Sequence, residues 1–195
     1  RLLVKDQGVL AGVELARHIF AYVDPDMEMD LRLKDGARIE PGDEAFFINA
    51  NTRALLKAER LVLNSMQRMS GIATFSRRYA DAVADLPVKV LDTRKTTPLL
   101  RFLEKWAVLI GGCTNYRSGL YDWFMIKDNH VDACGGIRPA IEAVNAYKKE
   151  KGLDLGLTVE VRNMDELEQA LTSGNLTRIM LDNFQIADTR RAVER

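Results

Sequence analysis

The chain has 195 residues, a mass of 22.0 kDa and 28 basic against 28 acidic side chains. A net charge of zero argues against a general nucleic-acid binder, which would be basic, and no stretch approaches the roughly 18 uninterrupted apolar residues of a membrane span. The only cysteines, Cys113 and Cys134, lack a CxxC spacing, which argues against a disulfide scaffold or a cysteine zinc site and suits a reducing cytoplasm.

Residues 8–23 predict a helix, with Val13, Ala16, Ile19, Phe20 and Val23 at helical spacing. Residues 30–50 alternate and carry turn signals at Asp35-Gly36 and Pro41-Gly42, predicting a compact antiparallel unit that ends in the strand EAFFINA. Residues 52–85 predict helix, striped by Leu55, Val62, Met66, Met69 and Ala73, with Ser70-Gly71 expected to break it in two. The methionines read as core, since Met fills irregular gaps. From residue 88 the pattern changes. Strands are predicted over 88–92, 123–128, 157–162 and 178–183, and helices over 99–112, 137–152, 164–174 and from 186 onward. Such a βα series means a parallel sheet with helical crossovers. Four strands are too few to close a standard barrel. The chain stops inside a predicted helix and opens without a signal-peptide pattern, which reads as an ordered part of a longer protein.

Parallel α/β architectures collect their chemistry at the carboxyl ends of the strands. The first predicted strand ends in Asp92, Arg94 and Lys95, the second in Lys127-Asp128-Asn129-His130, the third carries Glu160 and Arg162, and the fourth ends in Asp182-Asn183. Arg94, Lys95, Arg117 and Lys127 form a cationic set suited to carboxylates and phosphates. Glu160 and Asp182 form an anionic pair that can hold Mg²⁺ or grip sugar hydroxyls. The combination points to an enzyme acting on a substrate with several negative charges and a metal-bound phosphate.

The segment LDTRKTTPLLRFLEKWAVLIGGCTNYRSGLYDWFMIKDNHVDACGG (91–136) resembles the quinolinate phosphoribosyltransferase family, also called nicotinate-nucleotide pyrophosphorylases (carboxylating). GVLAG, LKDGARIEPGD, ALLKAERLVLNSMQRMSGIAT, VEVRN and IMLDN match the same family in order along nearly the whole chain. The resemblance implies an amino-terminal open-faced α/β sandwich over 1–58 and an incomplete α/β barrel, the catalytic domain, over 59–195. It implies a homodimer or higher homo-oligomer with shared active sites. The implied reaction is phosphoribosyl transfer from phosphoribosyl pyrophosphate to quinolinate with decarboxylation, giving nicotinate mononucleotide for de novo NAD synthesis, and Mg²⁺ is the implied cofactor. By motif match, Arg94, Lys95 and Arg117 hold quinolinate carboxylates, and Lys95 and Lys127 also face the phosphates of the sugar donor. Glu160 and Asp182 bind ribose hydroxyls and metal. Arg60, in KAER, matches the arginine that enters the neighbouring subunit's site.

The chain departs from the family's GGGxNHR pattern, reading Gly111-Gly112-Cys113-Thr114-Asn115-Tyr116-Arg117. Tyr116 stands where a substrate-contacting histidine is expected, and a tyrosine hydroxyl donates a hydrogen bond without carrying positive charge. Cys113 in place of glycine reads as packing. The family's earlier acidic segment and later glycine-rich phosphate loops lie outside these residues.

Other positions keep plainer readings. His130, with no partner histidine, reads as a hydrogen-bonded structural residue, His18 as surface or core edge, and Trp106 and Trp123 as core. Asp128 and Asn129 either orient Lys127 or cap the next segment. Arg162 is a site residue or an ion-pair partner for Glu160, whose strand face it shares by alternation. Three other functions stay open: a related phosphoribosyltransferase with a different acceptor, a non-catalytic relative that binds an anionic metabolite or a partner, and an aldolase-like enzyme with Lys127 as Schiff-base lysine.

Overall fold

The computed structural model describes residues 1–195. It forms two compact units, Arg1–Tyr116 and Arg117–Arg195. In chain order the first unit contains β1 (Leu2–Leu3), β2 (Gly8–Val9), α1 (Val13–Val23), β3 (Glu28–Leu31), β4 (Arg38–Ile39), β5 (Glu44–Asn49), α2 (Thr52–Ala82) and α3 (Arg101–Ile110). The second contains β6 (Phe124–Ile126), α4 (Asp128–Cys134), α5 (Ile137–Lys151), β7 (Leu157–Val161), α6 (Met164–Ser173), β8 (Arg178–Leu181) and α7 (Ile186–Val193). No helix is long and apolar enough to cross a membrane.

In the first unit β1, β5 and β3 form an antiparallel sheet in that order, and β2 pairs antiparallel with β4. Helix α1 begins at Val13 rather than at residue 8, because Gly8 and Val9 are taken by β2. Its first turn is capped from a distance: the Asp35 carboxylate accepts from the Val13 and Glu14 N–H groups at 2.8 and 3.2 Å. This satisfies donors that the start of a helix leaves open. Val13, Ala16 and Phe20 pack with Val4, Phe46, Val62 and Met66, and Phe20 meets Phe46 edge to face at 6.5 Å.

Helix α2 runs unbroken through Ser70-Gly71, contrary to the break expected there. Ser70 turns its hydroxyl outward from the helix to Ala11, accepting its N–H at 2.9 Å and donating to its carbonyl at 3.2 Å. One turn on, the Thr74 hydroxyl accepts the Val9 N–H at 2.8 Å. Glycine in a helix interior costs about 1 kcal/mol, which the buried stripe Ala58, Val62, Met66, Met69 and Ala73 outweighs. The latter half of the stripe packs with Val9, Ala11 and Ala107. At the α2–α3 crossing a Cβ on Gly111 would lie 2.6 Å from the Ala73 carbonyl oxygen, so only glycine permits this approach.

The expected strand over 88–92 is absent. Val88 and Lys89 are exposed, and only Leu91 bridges, in parallel, to Thr114. One residue opposite is too short a partner for a strand, although the Thr114 N–H to Val90 carbonyl and Asp92 N–H to Thr114 carbonyl bonds (2.9 and 3.1 Å) hold the segment extended.

In the second unit β6, β7 and β8 make a parallel sheet in sequence order, three strands where four were expected. β7 reads Leu157-Thr-Val-Glu-Val161, buried throughout except at Glu160, as befits a parallel strand covered on both faces. Ile126, Ile137, Ile141, Val159, Val161 and Leu167 form the core. Trp123 lies beside the sheet, its indole N–H donating to the Thr158 hydroxyl at 2.9 Å with the Arg178 guanidinium 5.5 Å from the ring centre. Helix α4 was not predicted. Its first turn is closed locally, the His130 N–H donating to the Lys127 carbonyl at 2.9 Å.

Candidate active site

In the first unit a turn bears Arg94 and Lys95. It leaves the Leu91–Thr114 bridge at Asp92 and enters α3 at Arg101. The Asp92 carboxylate, 7% exposed, meets the Lys105 ammonium, 6% exposed, at 2.5 Å. The same oxygen accepts the Tyr116 N–H at 2.7 Å. With its amide nitrogen turned inward, Asn115 donates to the other Asp92 oxygen at 2.7 Å and to the Lys105 carbonyl at 2.9 Å. The far end of the turn is held by Glu104. It accepts Arg68 Nε at 2.7 Å and the Thr97 N–H at 3.1 Å, while Arg68 also donates to the Thr97 hydroxyl at 2.5 Å. Burial pushes the Glu104 carboxyl up, but Arg68 and Thr97 outweigh it and hold the group below the usual carboxylate range.

Between these anchors the Lys95 N–H donates to the Thr93 hydroxyl at 3.0 Å, and Lys95 itself is exposed. Arg94 is half-buried, and its Nε has no protein hydrogen-bond acceptor. The turn thus offers two cations on a braced backbone. Tyr116 is half-buried. Arg60 lies exposed on α2 and makes no ion pair. Cys113 is buried, donates to the Ser76 carbonyl at 3.2 Å and has its thiol pKa pushed up by burial, so the packing reading holds.

The second unit has its own charged strand ends. Lys127 follows β6 directly, and its ammonium donates to both Glu160 oxygens, at 3.0 and 3.2 Å. Glu160 is 14% exposed and Lys127 43%, so the pair opens to solvent on the lysine side. His130 Nδ1 accepts the Lys127 N–H at 3.0 Å, a structural role that fixes the lysine backbone. Asp128 takes the Asn129 N–H at 2.7 Å at the start of α4, which favours the capping reading. Asp182 follows β8, is exposed, and accepts from the Asn183 amide at 3.2 Å. Its backbone N–H reaches the Val161 carbonyl at 2.9 Å, which sets it at the same sheet end as Glu160. Near Arg117, burial raises the Asp122 carboxyl pKa, but the N–H groups of Ser118 and Gly119, with help from Arg117, bring it below the ordinary value.

Arg162 does not pair with Glu160, the partner that alternation allowed. It leaves the strand and forks onto Glu166 at 2.6 and 2.8 Å, and reaches Asp132 at 3.1 Å. Burial raises the Glu166 carboxyl, but Arg162 outweighs it and lowers the pKa, while the arginine's own is raised by Glu166 first and Asp132 second. Arg162 is therefore structural. Sequence reading named Asp92 only as a charged strand end, without its partners, and did not single out Lys105, Asn115, Arg68 or Glu104. The apolar context of Glu104-Lys105 in a helical stripe was a usable signal, since buried charges require partners.

No three or more His, Cys, Asp or Glu side chains gather as a metal cage. Glu160 and Asp182 are hard oxygen donors at one sheet end. Such a pair fits a cation that keeps its waters and shares substrate oxygens, as Mg²⁺ does.

The chain matches the N-terminal domain model of the quinolinate phosphoribosyl transferases over residues 1–70 and the C-terminal domain model over residues 72–195. It is 47% identical over 189 residues to the chloroplastic nicotinate-nucleotide pyrophosphorylase [carboxylating] of Arabidopsis thaliana, covering 94% of this chain and 54% of that protein. It is 45% identical to quinolinate phosphoribosyltransferase [decarboxylating] 1b of Nicotiana tabacum, with 94% and 53% covered. The chain spans about half the length of these curated relatives. Among solved structures, NadC from Streptococcus pyogenes superposes with a TM-score of 0.91 at 38% identity, over 98% of this chain and 67% of that one.

Proposed function

The chain belongs to the quinolinate phosphoribosyl transferase family, and from that membership we propose that it makes nicotinate mononucleotide from quinolinate and phosphoribosyl pyrophosphate, releasing pyrophosphate and CO₂. The observation that carries the reading is the Lys127–Glu160 pair at the strand ends of a chain that matches both family domains. A cation and a carboxylate held together there serve the two charges of the reaction, phosphate and oxocarbenium-like ribose.

In this reading Arg94, Lys95 and Arg117 grip the two quinolinate carboxylates, Tyr116 adds a neutral hydrogen bond, and Lys95 and Lys127 meet the donor's phosphates. The pyridine nitrogen forms a bond to the anomeric carbon while the carbon–oxygen bond to pyrophosphate breaks, its electron pair leaving with pyrophosphate. Glu160, beside the ribose, favours the positive charge that develops there, as carboxylates do in glycoside chemistry, and Lys127 stabilises the departing anion. Glu160 and Asp182 would hold Mg²⁺, which would supply further neutralisation of the pyrophosphate charge. The bond between C2 and the 2-carboxylate then breaks and CO₂ leaves; its electron pair stays on C2, stabilised by the adjacent cationic ring nitrogen, and a proton from water takes the carboxylate's place there. The chain's residues need only hold the ring and the remaining carboxylate in place. Arg60, exposed and without an ion pair on α2, serves the site of a second subunit in a homodimer or larger homo-oligomer. The compartment is taken as the cytoplasm, to which the two free thiols Cys113 and Cys134 are suited.

The test is formation of nicotinate mononucleotide from both substrates with Mg²⁺, with release of label from quinolinate carboxylated with ¹³C at position 2. Product with labelled CO₂ is expected. Quinolinate that neither binds nor reacts would overturn the reading. Tyr116 favours one second reading, the same phosphoribosyl chemistry on a different acceptor, which a panel of pyridine and pyrimidine carboxylates would reveal.

A further inference from the structure

We propose that the buried Asp92–Lys105 pair is a positioning device for the acceptor site, fixing the Arg94–Lys95 turn against the Asn115–Tyr116 segment. The proposal rests on the reading that these segments grip quinolinate. A buried ion pair is weak evidence for stability, since an apolar pair of similar volume often serves as well. What Asp92 adds is direction. Its two oxygens take three donors from two separate segments: the Lys105 ammonium, the Tyr116 N–H and the Asn115 amide. Asn115 closes the ring by also reaching the Lys105 carbonyl.

The position of Asp92 gives these bonds their consequence. Arg94 and Lys95 follow it by two and three residues, and Tyr116, whose N–H it holds, immediately precedes Arg117. The strand expected here is reduced to the single Leu91–Thr114 bridge. Backbone pairing between the two segments ends with the two bonds at Thr114, and the Asp92 carboxylate extends the connection to Asn115 and Tyr116. The second buried carboxylate, Glu104, holds the other end of the turn through Thr97. Arg94 and Lys95 thus project from a loop tied down at both ends. Such bracing withholds the loop's freedom before any ligand arrives, so less ordering has to occur on binding.

The test compares the wild-type chain with Asp92→Asn/Lys105→Met, which removes both charges at similar volume, and with Asn115→Ala, which leaves the ion pair intact. Three measurements are made: quinolinate binding by calorimetry, thermal midpoint, and amide hydrogen exchange resolved over 93–98 and 114–117. In the double variant, exchange should accelerate in both segments together, with the thermal midpoint largely kept. The quinolinate dissociation constant should rise about ten-fold or more, since small misplacements of binding groups carry penalties of up to about a hundred-fold. Asn115→Ala should shift both readouts the same way by less, and it decides the matter should the double variant not fold. A folded variant with unchanged exchange in the two segments, or with unaltered quinolinate affinity, overturns the proposal. Absence of quinolinate binding in the wild type overturns the acceptor reading itself, and is thereby distinguished from failure of the positioning role, which appears only in the variants.

Discussion

Tyr116 is the position where this chain's own chemistry departs from the family pattern. A hydrogen bond to a charged partner contributes roughly 1.5–3 kcal/mol and a neutral one about 1 kcal/mol. Exchanging a neutral donor for a cationic one against a carboxylate is worth about 1 kcal/mol, a several-fold change in affinity. Under the proposed function, Tyr116→His is therefore expected to lower the Michaelis constant for quinolinate several-fold and leave that for phosphoribosyl pyrophosphate nearly unchanged. Under the same proposal Arg117→Ala should be far more damaging, since it would remove a charge and strand a substrate carboxylate. Steady-state kinetics with each substrate varied in turn separates the two. The same scale governs acid stability. Glu104, Glu166 and Asp122 all have pKa values below the ordinary carboxylate value in the fold, because donated hydrogen bonds and arginines outweigh burial. A carboxyl with a lowered folded pKa stabilises the fold fully above its unfolded value, about 4.3 for Glu and 3.9 for Asp, and loses that contribution as pH falls through the folded value. Urea unfolding midpoints should accordingly be level in their carboxylate-dependent part above about pH 5 and decline below about pH 4. Glu104→Gln should lower the midpoint at neutral pH and make the decline shallower, and an equally steep decline in that variant would remove Glu104 from the account.

At the scale of elements, the meeting of α2 with α3 depends on one missing side chain. Gly111 has a φ of −69°, which any residue tolerates, so its need for glycine is purely steric. A methyl group would sit against the Ala73 carbonyl and the Ser76 side chain. Gly111→Ala is expected to cost about 1–3 kcal/mol, the usual range for overpacking a close contact, read as a lower urea midpoint with unchanged slope. Apart from α4, the helices and the three parallel strands were legible because their patterns are local: a four- and three-residue stripe in α2, and an apolar run in β7. The continuity of α2 through Ser70-Gly71 was not, because Ser70 is satisfied by Ala11, some sixty residues away in the chain and invisible to local pattern. The strand over 88–92 failed for the converse reason. Its apolar residues look like a strand, but whether they pair depends on a neighbour that only the fold supplies. The site followed the same division. The placement of Lys127 and Glu160 at strand ends was legible from the strand-end rule, whereas the Asp92–Lys105 pairing was hidden because it joins a strand end to a helix thirteen residues on, which no local pattern shows. Arg162 was misdirected by alternation, which ends with the strand at Val161.

For the molecule as a whole, Arg60 carries the prediction. An exposed arginine without an ion pair is unremarkable on a solvated helix, but in a shared site it would touch a ligand bound by another copy. Arg60→Ala should therefore reduce turnover while leaving the thermal midpoint unchanged. Sedimentation of the wild type should show a dimer or larger species whose activity falls on dilution with its dissociation. A fully active monomer would contradict both expectations. The hydroxyls of Ser70 and Thr74 have a consequence of another kind. They occupy the backbone N–H groups of Val9, in the short strand β2, and of Ala11, two residues on, and a free strand margin of that sort is a template for recruiting extended chains from other molecules. Helix α2 thus acts as a selvage on this cloth of short strands, finishing with side-chain oxygens an edge that no further strand covers.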